Sequence, residues 1–391
     1  MSIWKNYRLG EIGEVITGKT PSSSFPEEFG TQIPFITPTD YKNYNKWISF
    51  SDRYLSEKGI DKLKNKILRE KSLLVTCIGS DMGKVAINKV PVISNQQINS
   101  IVTNDRVDAN FLYYKLVDSY DLLRNYGLAG TAVPIVNKGD FERIEITIPE
   151  NITEQSIIAE VLSSLDDKID LLHRQNKTLE QMAETLFRQW LVEETEESCE
   201  EITLSEIANH LKENMNPSKN PDKLYKHYSL PAFDEGKEPI VEIGKEILSN
   251  KYKVVSNSIL VSKLNPRTPR IWMLYGGIDE DKCICSTEFQ VVVPKNNNWF
   301  GFIYCFLKSN RVIQELTGAS SGTSGSHQRV NPQDIFNLTF QKPKESLLTK
   351  FDTITKEYWQ KITINQNQIH TLTQLRDTLL PKLMSGEVQI K

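Results

Sequence analysis

The chain has 391 residues, of which 25% are charged, and its formal net charge is −3 at pH 7. This length predicts two or three domains with their own cores, and the weak negative charge argues against a simple nucleic-acid coat protein. No apolar run reaches the roughly 18 residues of a membrane span and the first residues lack a hydrophobic signal segment, so we expect a cytoplasmic protein with no membrane partner.

The first part of the chain predicts short helices and strands. Residues 9–16 have an amphipathic pattern closed by Gly18, which predicts a short helix. Residues 32–40 predict a strand broken by prolines, at a sheet edge or a loop rim. Further elements follow in chain order: buried strands at 72–79 and 85–87, a helix at 111–120 and an alternating strand at 144–149.

A long helix is predicted next, over residues 155–192. Two rows of residues recur there every seven positions, as in the a and d positions of a coiled coil: Leu165, Leu172, Leu179 and Leu186, and Leu162, Ile169, Asn176, Ala183 and Trp190. Such a helix needs a partner to cover its apolar stripe. Residues 154–199 carry four basic and eleven acidic side chains, so we expect this segment to face solvent or a protein, not phosphates.

The C-terminal region predicts the partner helix. It repeats the same spacing at Ile362, Asn365, Ile369, Leu372 and Leu379. Asn176 and Asn365 are the polar residues of this predicted seam, and a buried Asn at such a position fixes the register of the pair. A single all-α core is the alternative, but the strand-rich sequence between the two helices disfavours it.

The second half of the chain repeats elements of the first. Leu9-Gly10-Glu11-Ile12 is matched by Leu204-Ser205-Glu206-Ile207, residues 72–76 by 258–262, and Val136-Asn137 by Val330-Asn331. We therefore predict an α+β fold with two globular domains in pseudo-symmetric repeat, separated by two long antiparallel coiled-coil helices. The predicted boundaries are 1–153 for the first globular domain, 154–199 for the central helix, 200–343 for the second globular domain and 344–391 for the pairing C-terminal helix.

Several short motifs occur in a specific order along this duplicated chain. They are Leu9-Gly10-Glu11-Ile12, Ile16-Thr17-Gly18-Lys19-Thr20-Pro21-Ser22, residues 33–40, Asn95-Gln96-Gln97-Ile98, Leu186-Phe187-Arg188-Gln189-Trp190 and residues 376–387. With them the whole chain resembles the specificity (S) subunit of a Type I restriction-modification system.

The resemblance implies a non-catalytic DNA-binding role in DNA methylation and phage defence. The two globular domains would be target recognition domains that read double-stranded DNA, and the helix pair would set the distance between them. Two methyltransferase (modification) subunits would dock, joined by restriction subunits in the full complex. The chain would bind no cofactor itself, since S-adenosylmethionine and ATP with Mg²⁺ belong to the partners. Residues 212–218 replace the Gly-Lys-Thr-Pro motif in the second half, so an asymmetric, bipartite target is expected.

Two other classes of function remain open at this point. A self-contained DNA-modifying enzyme would need an Asn/Asp-Pro-Pro-Tyr/Phe loop, but Asn216-Pro217, Asn265-Pro266 and Asn331-Pro332 are followed by other residues. A coiled-coil scaffold without a nucleic-acid role would fail to bind any DNA duplex, even together with a methyltransferase partner. No metal site is predicted, because the nuclease-like pair Asp222 and Glu235 lies in turn-rich sequence.

Loop residues supply the candidate DNA contacts. The phosphate-contact candidates are Lys42, Lys46, Lys84, Lys138, Lys263, Arg267 and Arg270. The base-edge candidates are Gln96, Gln97, Asn265, Gln328 and Arg329, because Gln and Asn suit adenine and Arg suits guanine. His327 ends a Gly/Ser-rich stretch that is either a surface linker or a loop that orders on DNA.

Overall fold

The computed structural model describes residues 3–22, 24–43, 46–79, 82–128, 135–193, 200–320 and 328–388. The chain divides into two compact units: unit 1 is Met1–Lys168 with Leu372–Lys391, and unit 2 is Ile169–Thr371. The boundaries between the two units fall inside the two long helices, whereas the domain boundaries predicted from the sequence follow the ends of helices and strands. Those domain boundaries stay a prediction. Across the described ranges, we find no helix whose length and apolar content would let it span a bilayer.

Unit 1 contains eleven strands and the first six α-helices among its described residues. The strands are β1 (Trp4–Arg8), β2 (Gly13–Thr17), β3 (Phe29–Gly30), β4 (Ile33–Ile36), β5 (Trp47–Ile48), β6 (Tyr54–Leu55), β7 (Leu73–Thr76), β8 (Val85–Asn88), β9 (Ile93–Ser94), β10 (Ile98–Thr103) and β11 (Glu145–Pro149). The helices are α1 (Leu9–Ile12), α2 (Glu57–Lys62), α3 (Ala109–Asp118), α4 (Tyr120–Leu128), α5 (Lys138–Arg143) and α6 (Ile152–Arg188), which continues into unit 2.

Unit 2 repeats this composition with another eleven strands. These are β12 (Glu201–Thr203), β13 (Ala208–Leu211), β14 (Asn214–Met215), β15 (Leu224–Tyr228), β16 (Ile240–Ile243), β17 (Lys251–Lys253), β18 (Ser258–Ser262), β19 (Ile271–Leu274), β20 (Cys283–Cys285), β21 (Phe289–Pro294) and β22 (Thr339–Gln341). Its further helices are α7 (Leu204–Ile207), α8 (Leu230–Asp234), α9 (Phe300–Lys308), α10 (Asn310–Ala319), α11 (Pro332–Phe336) and α12 (Glu345–Met384), which continues into unit 1.

The sheets of the two units follow the same plan. Unit 1 has the sheet orders β2-β10-β7-β8-β5, β3-β6-β4-β9 and β1-β11. Unit 2 has the orders β13-β21-β18-β19, β14-β17-β20-β15-β16 and β12-β22. In each unit the first strand pairs with the last strand before a long helix, as β1 does with β11 and β12 with β22. The predicted internal repeat is therefore confirmed.

Equivalent capping interactions explain part of the repeated sequence. The Glu11 carboxylate accepts a hydrogen bond from the Arg8 backbone N–H at 2.7 Å, and Glu206 accepts one from the Thr203 N–H at 2.7 Å. Both glutamates occupy the third position of a four-residue helix, where a carboxylate satisfies a backbone donor that has no helical partner. The repeated Leu-x-Glu-Ile motif is thus a helix start in each unit.

The two long helices pair with each other in opposite directions, as predicted. In unit 2, Asn365 Nδ2 donates to Asn176 Oδ1 at 2.8 Å, and the Lys350 ammonium lies 4.2 Å from the ring centroid of Trp190. Residue numbers therefore rise along one helix while they fall along the other.

Most of the predicted seam faces the interior of one unit or the other. Ile169, Leu172, Ile362, Asn365 and Ile369 are buried. Leu165, Asn176, Leu179, Leu186, Leu372 and Leu379 are half-buried. The stripe also contains residues that the heptad pattern did not single out, such as Phe351 and Trp359, which belong to the hydrophobic core of unit 2.

Two predictions about the first elements of unit 1 were wrong. The predicted helix at 9–16 ends at Ile12, because the chain then enters β2 and pairs with β10 in the register Thr17↔Asn99. The strand within 32–40 was predicted at a sheet edge or a loop rim, and the edge alternative is wrong, because β4 has β6 on one side and β9 on the other. Its proline is tolerated because the backbone donors on this side are Gln32 and Phe35, whose N–H groups donate to the Leu55 and Arg53 carbonyls at 3.0 and 2.9 Å.

Candidate nucleic-acid interface

Three of the motifs that carry the resemblance meet at one place in unit 1. The Lys19 backbone N–H donates to the Ser94 carbonyl at 2.9 Å, and the Asn95 N–H donates to the Ile36 carbonyl at 2.9 Å. Gly18 makes this approach possible, since a side chain there would overlap the carbonyl oxygens of Ser94 and Asn95. The motifs at 16–22, 33–40 and 95–98 thus form one structural element.

Gln96 and Gln97 are oriented at this place by hydrogen bonds to their carbonyl oxygens. Gln96 Oε1 accepts from the Thr20 hydroxyl at 2.6 Å, and Gln97 Oε1 accepts from Asn95 Nδ2 at 2.9 Å. Gln96 is exposed and Gln97 is half-buried. Their amide groups are therefore held in fixed positions at the surface of unit 1, as a base-edge contact requires.

The Asp40 carboxylate stabilises the loop that follows β4. It accepts hydrogen bonds from the Thr37 hydroxyl at 2.6 Å, the Ser51 hydroxyl at 3.0 Å and the Asp52 N–H at 3.0 Å. Burial acts to raise the pKa of Asp40, but these hydrogen bonds outweigh it and lower the pKa below its usual value. Asp40 is thus a buried anion that orders the Thr-Pro-Thr-Asp loop, and it is not itself available to a ligand.

Three of the other unit 1 candidates are exposed. Lys42 lies in a 3₁₀ helix, Pro38–Asn43, and Lys84 precedes β8. Lys138 begins α5, where its ammonium lies 3.5 Å from the Glu142 carboxylate. Among the described residues, no hydrogen bond or ion pair joins these lysines to Gln96 or Gln97. Their predicted phosphate contacts therefore stay predictions.

Lys46 does not suit a phosphate contact, and the structure corrects that assignment. Its side chain is only 4% exposed, its ammonium donates to the Ser163 hydroxyl at 2.8 Å, and it lies 4.5 Å from the ring centroid of Tyr114. The Tyr114 hydroxyl in turn donates to Asp166 Oδ2 at 2.6 Å. Lys46 therefore attaches the globular part of unit 1 to α6.

The burial of Lys46 should make the stability of unit 1 depend on pH. Burial lowers the pKa of Lys46 to about 8 from 10.5, although nearby carboxylates such as Asp166 act in the opposite direction. Between these values the unfolded chain binds more protons than the folded chain, so stability rises with pH. We expect the free energy of unfolding of the wild type, relative to Lys46→Met, to increase by about 2 kcal/mol between pH 8 and pH 10.

Denaturant unfolding of both proteins at several pH values measures this difference. Lys42→Met removes an exposed lysine from the same region and should leave the pH dependence of the wild type unchanged. A difference between wild type and Lys46→Met that stays constant from pH 8 to pH 10 would contradict the buried position of the ammonium group.

Four of the predicted unit 2 candidates come together beside the end of β18. The Asn265 N–H donates to the Gln328 carbonyl at 2.9 Å, and the Val330 N–H donates to the Lys263 carbonyl at 2.9 Å. The segment containing Arg329 forms an isolated bridge with Leu264. The structure thus joins Lys263, Asn265, Gln328 and Arg329 into one surface.

The remaining unit 2 candidates lie elsewhere or outside the described residues. The Arg270 guanidinium makes two hydrogen bonds to the Asp234 carboxylate, at 2.7 and 2.8 Å, and this pairing raises its pKa above the usual value. Arg270 is therefore already bound to an anion of the protein. Arg267 is exposed. His327 lies outside the described residues.

The two units carry an equivalent polar cluster at the same end of the same sheet. We call the cluster in unit 1 corner 1 and its equivalent in unit 2 corner 2. Corner 1 consists of Thr17, Cys77, Gln97, Asn99 and Ile135. Corner 2 consists of Lys212, Lys263, Glu288, Gln290 and Arg329. The isolated bridges Ile78↔Ile135 and Leu264↔Arg329 close the two corners in the same way.

The sheet register explains why each corner forms. In unit 2, β18 and β21 pair in the register Val261↔Gln290, so Lys263 and Glu288, each two residues further along, lie on the same face. In unit 1, β7 and β10 pair as Val75↔Asn99, which places Cys77 and Gln97 on one face. Sequence reasoning missed Lys212, Glu288 and Gln290, although the period of two on β21 was a usable signal.

Comparison with known proteins agrees with this architecture. The family profile of the Type I restriction modification DNA specificity domain matches residues 1–181. The chain is 28% identical over 413 residues to the Type I restriction enzyme MjaIX specificity subunit of Methanocaldococcus jannaschii, which covers 99% of this chain and 94% of that protein. It is 31% identical over 189 residues to the HindI specificity subunit of Haemophilus influenzae, covering 47% of this chain and 40% of that protein.

A solved structure shares the fold. The crystal structure of the Type I restriction-modification system S subunit from M. genitalium superposes with a TM-score of 0.59 at 18% sequence identity, covering 98% of this chain and 96% of that chain. The repeated units and the paired long helices are thus shared with this S subunit. Residues 1–181 match the DNA specificity domain of Type I restriction-modification systems, and the chain as a whole is similar to specificity subunits of such systems.

Proposed function

We propose that this chain recognises the DNA sequence for a Type I restriction-modification complex and reads an asymmetric, bipartite target on double-stranded DNA. One observation carries the proposal: both units build a polar corner on the same sheet register but fill it with different side chains. A shared scaffold with unequal side chains suits two half-sites of different sequence. Side chains that form hydrogen bonds with base edges select the DNA sequence, and exposed lysines contact the phosphates.

The chemistry of modification and cleavage belongs to other subunits in this proposal. Two modification subunits bind the chain, and restriction subunits complete the nuclease. S-adenosylmethionine, ATP and Mg²⁺ bind to those partner subunits. An open groove along the helix pair in unit 2 supports docking there. It is lined by two leucines, two basic side chains and two uncharged polar side chains: Leu171, Leu179, Arg174, Lys361, Gln175 and Thr178.

The helix pair sets the distance between the two half-sites in this proposal. Inserting four residues after Lys168 and four after Thr371 adds about one turn, or roughly 6 Å, to both helices at the points where the units divide. That length corresponds to about two base pairs of DNA. We expect the methylated target to keep both half-sequences and to gain about two unspecified base pairs between them. Mapping methylated bases in DNA from cells that express the complex measures this.

A matched control separates length from local chemistry. Lys168→Ala with Thr371→Ala alters exposed side chains at the same points without lengthening either helix, so its target should have the wild-type spacer. If the double insertion methylates the same sequence with an unchanged spacer, the helix pair does not measure the target.

A further inference from the structure

The two equivalent corners differ in charge. Corner 1 has no ionised side chain at the positions of Thr17, Gln97 and Ile135, whereas corner 2 has cations at Lys212, Lys263 and Arg329 and one carboxylate at Glu288. The same backbone arrangement therefore carries a formal charge of zero in unit 1 and +2 in unit 2. Because this difference matters only for a chain that reads DNA, the role assigned to corner 2 rests on the proposed function.

Within corner 2, Lys263 lies near two cations, Arg329 and Lys212, and one carboxylate, Glu288. Burial lowers the pKa of Lys263, and the charges of Arg329 and Lys212 lower it further, while Glu288 acts in the opposite direction. Crowded cations repel one another and cost stability unless an anion or an electronegative group binds them. Corner 2 thus has the electrostatic character of a site for hydrogen-bond acceptors.

Arg329 and Glu288 form a specific pair within corner 2. Arg329 Nη2 donates to Glu288 Oε1 at 2.9 Å, and the two side chains are 62% and 28% exposed. Exposed ion pairs contribute only about 0 to 1 kcal/mol to stability, so the main effect of this pair is to orient the guanidinium. This bond uses one guanidinium nitrogen, and with respect to the residues that the structure describes the fork keeps other N–H donors for a ligand.

An oriented, exposed guanidinium matches the major-groove edge of guanine. Guanine presents two acceptors, O6 and N7, which arginine contacts in a bidentate manner, whereas glutamine and asparagine match the donor and acceptor of adenine. Corner 1 has Gln97 where corner 2 has Glu288, and Ile135 where corner 2 has Arg329. The chemistry of corner 1 therefore suits adenine and offers guanine no cation.

We propose that Arg329, oriented by Glu288, selects a guanine in the half-site read by unit 2. Glu288 is a positioning residue in this assignment, since it acts on the base only through Arg329. Lys212 and Lys263 add affinity for the acceptor-rich groove and for nearby phosphates. The equivalent position in the half-site read by unit 1 carries no guanine preference from corner 1.

The test uses the complete chain in complex with its modification subunits and a plasmid library with randomised target positions. Methylated molecules are sequenced to obtain base preferences. Arg329→Ala should reduce discrimination in favour of guanine by roughly 5- to 100-fold at one base pair of the unit 2 half-site. The unit 1 half-site should not change. Arg329→Lys keeps the charge but not the fork, so it should retain affinity at moderate salt and still lose the guanine preference.

Glu288→Gln distinguishes positioning from a merely structural role. It should weaken preference at the same base pair as Arg329→Ala, and the double variant should lose no more than Arg329→Ala alone. The matched control is Glu200→Gln, which alters another exposed ion pair of unit 2, 3.4 Å from Lys342, and should leave every preference intact. An equal loss of affinity for all sequences in Glu288→Gln would overturn the positioning role.

The outcomes for this inference and for the proposed function are separable. A wild-type complex with a defined bipartite target, combined with an unchanged guanine preference in Arg329→Ala, overturns the inference and leaves the proposed function standing. A wild-type complex that methylates without sequence preference overturns both.

Discussion

Gly18→Ala should destabilise unit 1 by about 3 kcal/mol and disturb corner 1. A Cβ atom at Gly18 would lie 2.2 Å from the carbonyl oxygens of both Ser94 and Asn95. Both are backbone atoms in the segment that positions Gln96 and Gln97, so they cannot yield without moving those side chains. Denaturant unfolding followed by circular dichroism measures the loss of stability.

Gly139→Ala is the matched control in the same unit. The nearest atom to a Cβ at Gly139 is Asn137 Oδ1 at 3.6 Å, and the residue lies within α5. Alanine favours a helix over glycine by up to about 1 kcal/mol, so this variant should be neutral or slightly more stable. If the two variants unfold at the same denaturant concentration, the close approach at Gly18 does not constrain the corner.

Trp359→Ala should remove about 3 to 5 kcal/mol from the stability of unit 2. Trp359 is 1% exposed on α12, and its ring centroid lies 5.4 Å from that of Tyr304 in an edge-on arrangement. A Cβ on Gly301 of α9 would lie 3.0 Å from Trp359 Nε1, so the indole fills the contact between these helices. Its loss leaves a cavity that neighbouring helices cannot close.

Two further variants test the origin of this effect. Ile364→Ala truncates a residue of the same helix that is 51% exposed, and it should cost no more than about 0.5 kcal/mol. Trp359→Phe retains an aromatic ring and should cost less than Trp359→Ala. An alanine variant at 359 with wild-type stability would show that the core of unit 2 does not depend on this residue.

The helix pair was the most predictable part of the fold. Apolar residues at every seventh position over five helical turns or more leave few alternatives, because only a paired helix buries such a stripe. The predicted helix at 155–192 corresponds to α6, Ile152–Arg188, and a π-helical turn, Gln189–Glu193. The partner stripe of α12 was predicted at its centre, where Ile362, Asn365 and Ile369 are all buried.

Short elements were harder to predict because distant strands decide them. Residues 9–16 have a helical pattern, yet the helix stops at Ile12, where strand pairing with β10 takes over. The buried position of Lys46 could not be predicted from the local sequence pattern either. An isolated lysine before a tryptophan looks solvated, and only the packing of Tyr114 and Ser163 from later segments encloses it.

The candidate contacts in unit 2 were predicted in part. Lys263, Asn265, Gln328 and Arg329 were selected as donors for DNA, and the structure places them side by side. Glu288 was missed because an acidic side chain does not suit a phosphate contact. Its relation to Arg329 also depends on the register of β18 against β21, which the period of two along β21 does not specify.

The division of the chain into units also constrains the order in which the two units can fold during synthesis. Leu383 and Met384 are buried in the same core as Leu9 and Phe111. The core of unit 1 therefore remains open on the ribosome until the last part of α12 has been synthesised, after the whole of unit 2 has emerged. Unit 2 is thus an insertion of about 200 residues that folds while the first-made unit still waits for its final helical turns. Since the entropic cost of closing a loop grows only slowly with its length, this delay costs time more than stability.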